Sequence, residues 1–388
     1  MRRRYLYAGL IVIAALSVAY VLIAPTINRP ASAQALYFKD EARLTGRLKV
    51  ARGYRLNLFA ASVGLARVMR ETSGGNFIVT AARNGRVLLV RADKDGDGRS
   101  DGVEPLLDGM ARPHGLIVEG DAVYIAETHR VSLFRLVNEN QPGAAKLNFE
   151  GTILGDIPAD GGHSTRTIGR GPDGKIYVSV GSSCNVCIER HDWRAAIVRL
   201  DADGKAEVFA RGLRNSVGLD WRPDSGDLYA VNAGRDRLGD DFPREEMNQV
   251  VQGAHFGWPF ANENNVPDPD YGKKAPAGVG FTPPAHMFTA HSTPLSIRFL
   301  RHQSKIKPGS AALVARHGSW NRSRKSGYDV VVLRWQADGS ITEEPFITGF
   351  EADDDVIGRP VGIFETKDGT IYITDDHARV IYRVTLVQ

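Results

Sequence analysis

Short stretches in which apolar and polar residues alternate recur along the chain, each opened by a turn rich in Gly, Asp or Ser. They read Gly74-Gly75-Asn76-Phe77-Ile78-Val79, Gly120-Asp121-Ala122-Val123-Tyr124-Ile125, Asp173-Gly174-Lys175-Ile176-Tyr177-Val178 and Ser225-Gly226-Asp227-Leu228-Tyr229-Ala230. Two more follow, Gly309-Ser310-Ala311-Ala312-Leu313-Val314 and Asp368-Gly369-Thr370-Ile371-Tyr372-Ile373. A two-residue period bounded by turn residues predicts half-buried strands. Second strands are predicted at 86–90, 131–134, 196–200, 329–333 and 380–384. Equivalent positions lie 46 to 58 residues apart, except for 85 between Leu228 and Leu313, which places an insertion in the Pro- and Asn-rich segment 236–284. Units of this length that bury their faces only against neighbours predict an all-β, six-bladed β-propeller. The ring spans residues 48–388, and strand 55–59 is expected to complete the last blade. No long amphipathic helical period runs through this body.

Composition changes the picture at the N-terminus. The 388 residues are 43% hydrophobic and 24% charged, enough for a large core without staples. The net charge is +4, yet residues 1–33 hold Arg2, Arg3, Arg4 and Arg29 and no acid, so the body is formally neutral. A nucleic-acid-binding role loses its main support. Arg2-Arg3-Arg4, the uncharged apolar run 5–24 and Ala31-Ser32-Ala33 have the layout of a signal peptide. The run is also long enough to serve as a membrane anchor. Residues 1–33 are therefore read as signal peptide or anchor, 34–47 as a lead-in and 48–388 as the propeller. Both readings place the body outside the cytoplasm, in a periplasm. Cys184 and Cys187, the only cysteines, fit such an oxidising compartment as a small loop disulfide, with a redox pair as the alternative. Ile188 follows where c-type haem attachment requires His.

Candidate chemistry gathers just before the predicted inner strands, which face one another across the channel mouth. The segments are Arg112-Pro113-His114-Gly115, Gly161-Gly162-His163-Ser164, Leu213-Arg214-Asn215-Ser216, His291-Ser292-Thr293-Pro294 and Gly358-Arg359-Pro360-Val361. Guanidinium forks match carboxylates, so the group fits an anionic, planar ligand. An imidazole there could accept an alcohol proton. The loop Asp93-Lys94-Asp95-Gly96-Asp97-Gly98-Arg99-Ser100-Asp101-Gly102-Val103-Glu104 places acidic side chains at positions 1, 3, 5, 9 and 12 and Gly at 6, an EF-hand-like spacing without flanking helices. It is read as a structural Ca²⁺ site, with a solvated acidic hairpin as the alternative. No phosphate-binding Gly-rich motif points to a nucleotide cofactor.

Residues 48–388 resemble the glucose/sorbosone dehydrogenase family. The resemblance rests on His163 with Gly171-Pro172-Asp173-Gly174-Lys175-Ile176-Tyr177-Val178, on Gly212-Leu213-Arg214-Asn215-Ser216-Val217-Gly218-Leu219, and on Gly257-Trp258-Pro259. It continues in His317-Gly318-Ser319-Trp320-Asn321-Arg322-Ser323 and Gly358-Arg359-Pro360-Val361-Gly362. The Asn321 block and Gly234-Arg235-Asp236-Arg237-Leu238-Gly239-Asp240-Asp241 are similar to the sorbosone and pyranose dehydrogenase branch. The resemblance implies pyrroloquinoline quinone (PQQ) and Ca²⁺ as cofactors and a periplasmic enzyme oxidising a sugar, sugar aldehyde or polyol. It implies that His163 is the general base and that Arg214 and Asn215 contact the quinone. Arg359, His114 and Trp320 would complete the cofactor site, and Gly234, Arg235 and Asp236 would hold the bridging ion. Electrons would leave to a separate cytochrome or membrane quinone. The lysine that some members place over the cofactor has no counterpart in the stretch His317 to Trp320. Alternatives are a Ca²⁺-dependent lactonase or esterase and a non-catalytic carbohydrate- or protein-binding propeller.

Overall fold

The alternating stretches pair with their neighbours in sequence and build six antiparallel sheets arranged as a ring. The computed structural model describes residues 41–201, 203–304 and 306–387. The chain divides into two compact units, 1–44 and 45–388. Of the first, only the start of a short helix, Glu41–Arg47, is among the described residues, so the leader lies outside them.

Six inner strands surround the axis: Ala66–Glu71, Leu116–Glu119, Arg166–Arg170, Ser216–Trp221, Pro294–Phe299 and Pro360–Glu365. Each contacts the next, and the last returns to the first. Blades one to five run outward in chain order. Blade five gains Lys49–Val50 at its outer edge. Blade six takes its outer strand from the other end of the chain: Tyr54–Ala61 pairs with Val380–Leu386, Tyr54 opposite Leu386. This is the closure expected for strand 55–59, and it leaves the ring without a gap.

The insertion expected at 236–284 lies inside blade four, between Glu245–Val250 and His286–Phe288, and carries a two-stranded ribbon, Ala261–Asn262 with Val266–Pro267. The preceding loop, 233–244, joins the second and third strands of the same blade.

The alternation seen in sequence puts apolar side chains between blades. The seam of blades six and one is aromatic: Phe59 and Phe77 lie 4.8 and 4.9 Å from Tyr372, ring centre to ring centre. Along the axis, Val217, Leu295 and Val361 from blades four, five and six form a small apolar cluster. Val217 and Leu295 line both the cavity at the mouth and a second cavity deeper in the channel, so this cluster stands between two polar chambers.

Candidate active site

The mouth, where the inner strands begin, holds a cavity of about 240 Å³ lined by His163, Asn215, His114, His317, Arg67 and Arg112, among others. Five blades contribute these residues, which is why distant sequence segments meet there.

His163 precedes the inner strand of blade three. Its Nδ1 lies 3.0 Å from the Ser182 carbonyl oxygen and 2.8 Å from Ser182 Oγ. Ser182 Oγ spends its own proton on the Cys184 carbonyl at 2.7 Å. Both partners of Nδ1 therefore act as acceptors, so Nδ1 carries the proton and Nε2 keeps a free lone pair. Burial, then the Arg214 charge, lowers the His163 pKa to about 4, which leaves the ring neutral at pH 7. Arg166 anchors the loop by donating to the His163 carbonyl at 2.9 Å. Gly181 lets the ring approach Asn215: a Cβ there would stand 2.6 Å from His163 Cβ and 2.8 Å from Asn215 Oδ1.

His114, 2% exposed, is also held neutral, first by burial and then by the charges of Arg67 and Arg70. Arg67 Nε donates to its Nδ1 at 3.4 Å, so His114 carries its proton on Nε2, the opposite tautomer to His163. Arg67 also pairs with Asp376 at 2.8 Å, and the other Asp376 oxygen lies 2.7 Å from His317 Nε2. Neither Arg67 nor Asp376 stands out in the sequence. Arg67 follows a turn like those before the other inner strands, a positional signal that could have singled it out.

Arg214 is committed to protein partners. It donates to the Asn185 carbonyl (2.9 Å), Asn185 Oδ1 (2.8 Å), the Ala233 carbonyl (3.2 Å) and Asp236 Oδ2 (2.7 Å). One of its five N–H groups is left over, so its main influence on a ligand is its charge. Asp236 is likewise engaged, its second oxygen accepting from Asn321 at 3.0 Å. It is therefore the counter-ion of Arg214, and both oxygens of the one carboxylate among the three residues expected at the bridging ion are already hydrogen-bonded. The Arg235 side chain turns away to Asp268 and Asp270. Gly234 donates to Glu245 at 2.6 Å. Among the described residues, the Gly234 and Arg235 carbonyls accept no hydrogen bond, which suits them to a hard cation.

Asn185 is a further residue that sequence reading missed. It lies between Cys184 and Cys187, which form the expected loop disulfide. Besides its bonds to Arg214, its side chain accepts from the Asp236 amide (2.9 Å) and donates to the Asp236 carbonyl (3.0 Å). Trp258 Nε1 donates to its carbonyl at 3.2 Å. Glu245 was also missed: burial raises its pKa to about 7 despite bonds from the Gly234 and Thr293 amides.

On the rim, Arg359 donates to the carbonyls of His317 (3.0 Å) and Gly318 (2.7 Å), with its guanidinium over the Tyr328 ring. Trp320 is 66% exposed and stands clear of the core. His291 is tied to the Gly239 carbonyl at 2.8 Å. Far from the mouth, Asp93, Asp95 and Asp101 bring carboxylate oxygens within 4.8 Å of one another. Asp97 instead caps the Arg99 amide at 2.7 Å, and Glu104 pairs with Arg91 and the Gly143 amide. Three of the five acidic ligands proposed for that loop converge, and two do not.

The Glucose / Sorbosone dehydrogenase family model matches residues 122–381. An uncharacterized protein of Borreliella burgdorferi is 29% identical over 355 residues, covering 88% of this chain and 91% of that protein. A pyrroloquinoline quinone-dependent sugar dehydrogenase of Hypocrea jecorina is 24% identical over 318 residues, 69% of this chain and 72% of that one. A solved Trichoderma reesei structure from Carbohydrate-Active Enzymes Family AA12 superposes with a TM-score of 0.74 at 22% identity, covering 88% of this chain and 98% of the other. With the family match running through five of the six blades, the chain belongs to the glucose/sorbosone dehydrogenase family.

Proposed function

We propose that this chain is a periplasmic dehydrogenase dependent on PQQ and Ca²⁺ that oxidises a sugar, sugar aldehyde or related polyol. The observation that carries the reading is His163, a neutral imidazole with its Nε2 lone pair free beside a cavity lined by cationic groups. Arg67 and Arg112 in that cavity, with Arg359 on the rim, would hold the carboxylates of the cofactor. The Gly234 and Arg235 carbonyls would hold Ca²⁺, and Trp320 would cover the cofactor from the rim. When bound, the quinone supplies the hydride acceptor.

The chain's own residues handle the proton. His163 Nε2 takes the hydroxyl proton of the substrate, while Ser182 fixes the ring by its Nδ1–H. Arg214 stabilises negative charge through its field, and Asn185 and Asp236 keep that charge in place. A lactonase would call for free axial carboxylates. Here Asp236 and Asp376 are bonded to arginines, and Glu245 to backbone amides.

Reconstituting the protein with PQQ and Ca²⁺ and following dye reduction on sugars, aldehydes and lactones tests this. Saturable, sugar-dependent reduction is expected. Lactone hydrolysis without quinone, or silence throughout, overturns it. His163→Gln should abolish turnover yet retain quinone binding, and wild-type turnover in that variant would remove the base assignment. Ca²⁺ should raise the melting temperature of chelator-treated protein, and equal melting with and without it would remove both metal sites.

A further inference from the structure

Below the Val217, Leu295 and Val361 cluster the channel widens into a chamber of about 400 Å³. Its wall is strongly cationic, and its ion pairs do not balance. Arg170 is matched by Glu119, Arg222 by Asp224, and Arg67 by Asp376. Asp220 is consumed by Arg301, which donates to its two oxygens at 2.9 and 2.8 Å. Asp220 also accepts from the Phe299 amide at 2.8 Å and the Trp221 amide at 2.9 Å.

Two guanidiniums have no close carboxylate of their own; a further buried acid, Glu365, lies in the field of Arg298 and Arg301 with its oxygens on the Arg301 and His302 amides. Arg298 reaches Asp220 only at 3.9 Å, and its buried Nε has no hydrogen-bond partner among the described residues. Among the described residues, Arg70 donates only to its neighbour's carbonyl, that of Met69, at 2.8 Å. The two come from blades five and one, yet both approach the Phe364 ring of blade six, at 5.7 and 6.0 Å from its centre. Like charges converging on a half-buried wall are costly unless an anion joins them. Burial and the nearby Arg298 charge accordingly lower Arg70 to about 10. Guanidinium groups converging in this way suit a tetrahedral or planar oxyanion.

We propose that this chamber binds a small oxyanion of the phosphate, sulfate or carboxylate class between Arg70 and Arg298, which line this chamber and not the mouth cavity, although Arg67 and His114 line both. The site needs no quinone, so its test is separate from that of the enzymatic reading.

The test is calorimetric titration of the full chain with inorganic phosphate, and separately with sulfate and acetate, against chloride at equal ionic strength. Saturable binding of one oxyanion per chain is expected, with a melting temperature that rises with its concentration. Arg70→Gln and Arg298→Gln should each weaken binding at least tenfold, while the melting temperature without oxyanion stays level or rises. Absence of binding to all three oxyanions at 10 mM would overturn the proposal, as would wild-type affinity in both variants. If either variant fails to fold, ³¹P line broadening of phosphate by the wild-type chain, displaced by sulfate and not by chloride, decides the matter: no broadening overturns the site.

Discussion

Replacing Asn185 with Ala isolates what the disulfide loop does for the mouth. The truncation removes three hydrogen bonds: from Arg214 Nη2 at 2.8 Å, from the Asp236 amide at 2.9 Å, and to the Asp236 carbonyl at 3.0 Å. The first involves a buried charge and is worth about 1.5–3 kcal/mol, and each of the others about 1 kcal/mol. The Asn185 carbonyl bonds to Arg214 and Trp258 are main-chain and survive. The expected loss is therefore about 3–5 kcal/mol, read as a fall in the urea midpoint of roughly 1 M with the slope unchanged. Asn185→Asp keeps an acceptor for Arg214 and the Asp236 amide but sets a carboxylate oxygen against the Asp236 carbonyl, so its stability should fall between the two. If the staple acts by presenting Asn185, then Cys184→Ser with Cys187→Ser and Asn185→Ala should cost less together than the sum of the separate losses, by at least about 1 kcal/mol. A loss below about 1 kcal/mol for Asn185→Ala, or strict additivity with the cysteine variants, would refute the reasoning.

Phe59→Ala empties the aromatic seam between blades six and one and should cost about 3–5 kcal/mol by denaturant melt; a loss under about 1 kcal/mol would mean that the closure does not depend on this ring. Gly181→Ala should push His163 from Asn215, lowering stability by about 1–3 kcal/mol and turnover with it, and a neutral result in both assays would contradict the contact. Burial raises Glu246 to about 7 from 4.5, so between those values the folded chain keeps a proton that the unfolded chain has released. Its contribution to stability is present below pH 4.5 and is lost as pH rises through 7. Glu246→Gln removes that dependence: its stability relative to wild type should improve by roughly 3 kcal/mol between pH 4.5 and pH 8 in paired urea melts, and a flat difference would place the carboxyl near its ordinary value.

The propeller was legible because its blades repeat one signal, a turn followed by an alternating strand, and because Leu228 to Leu313 broke the spacing where blade four carries its insertion. His163, His114 and Arg112 were legible at the mouth because each precedes an inner strand. What the sequence hid was partnership. Arg214 reads as a free guanidinium until Asn185 from one loop and Ala233 and Asp236 from another claim its N–H groups. Glu104 fits a metal spacing by position, yet it lies on strand Val103–Leu107, where Arg91 competes for it. Arg67 and Asp376 escaped notice because they pair across the closure of the ring, at a separation that local spacing does not register.

The seam that joins Tyr54–Ala61 to Val380–Leu386 also sets an order of events. Five blades can form as the chain grows, but the sixth must wait for the final strand to emerge. Until then three of its four strands are in place, but Tyr54–Ala61 stands apart from Pro360–Glu365 and Ile371–Asp375 because the strand that pairs with both sides is missing. A chain cut before Val380 would leave Tyr54–Ala61 with no strand to pair with and expose the outer edge of Ile371–Asp375. Two such molecules would each lack the strand the other also lacks, so neither could mend its partner. A supplied peptide of sequence 380–387 is the one segment able to restore the circle.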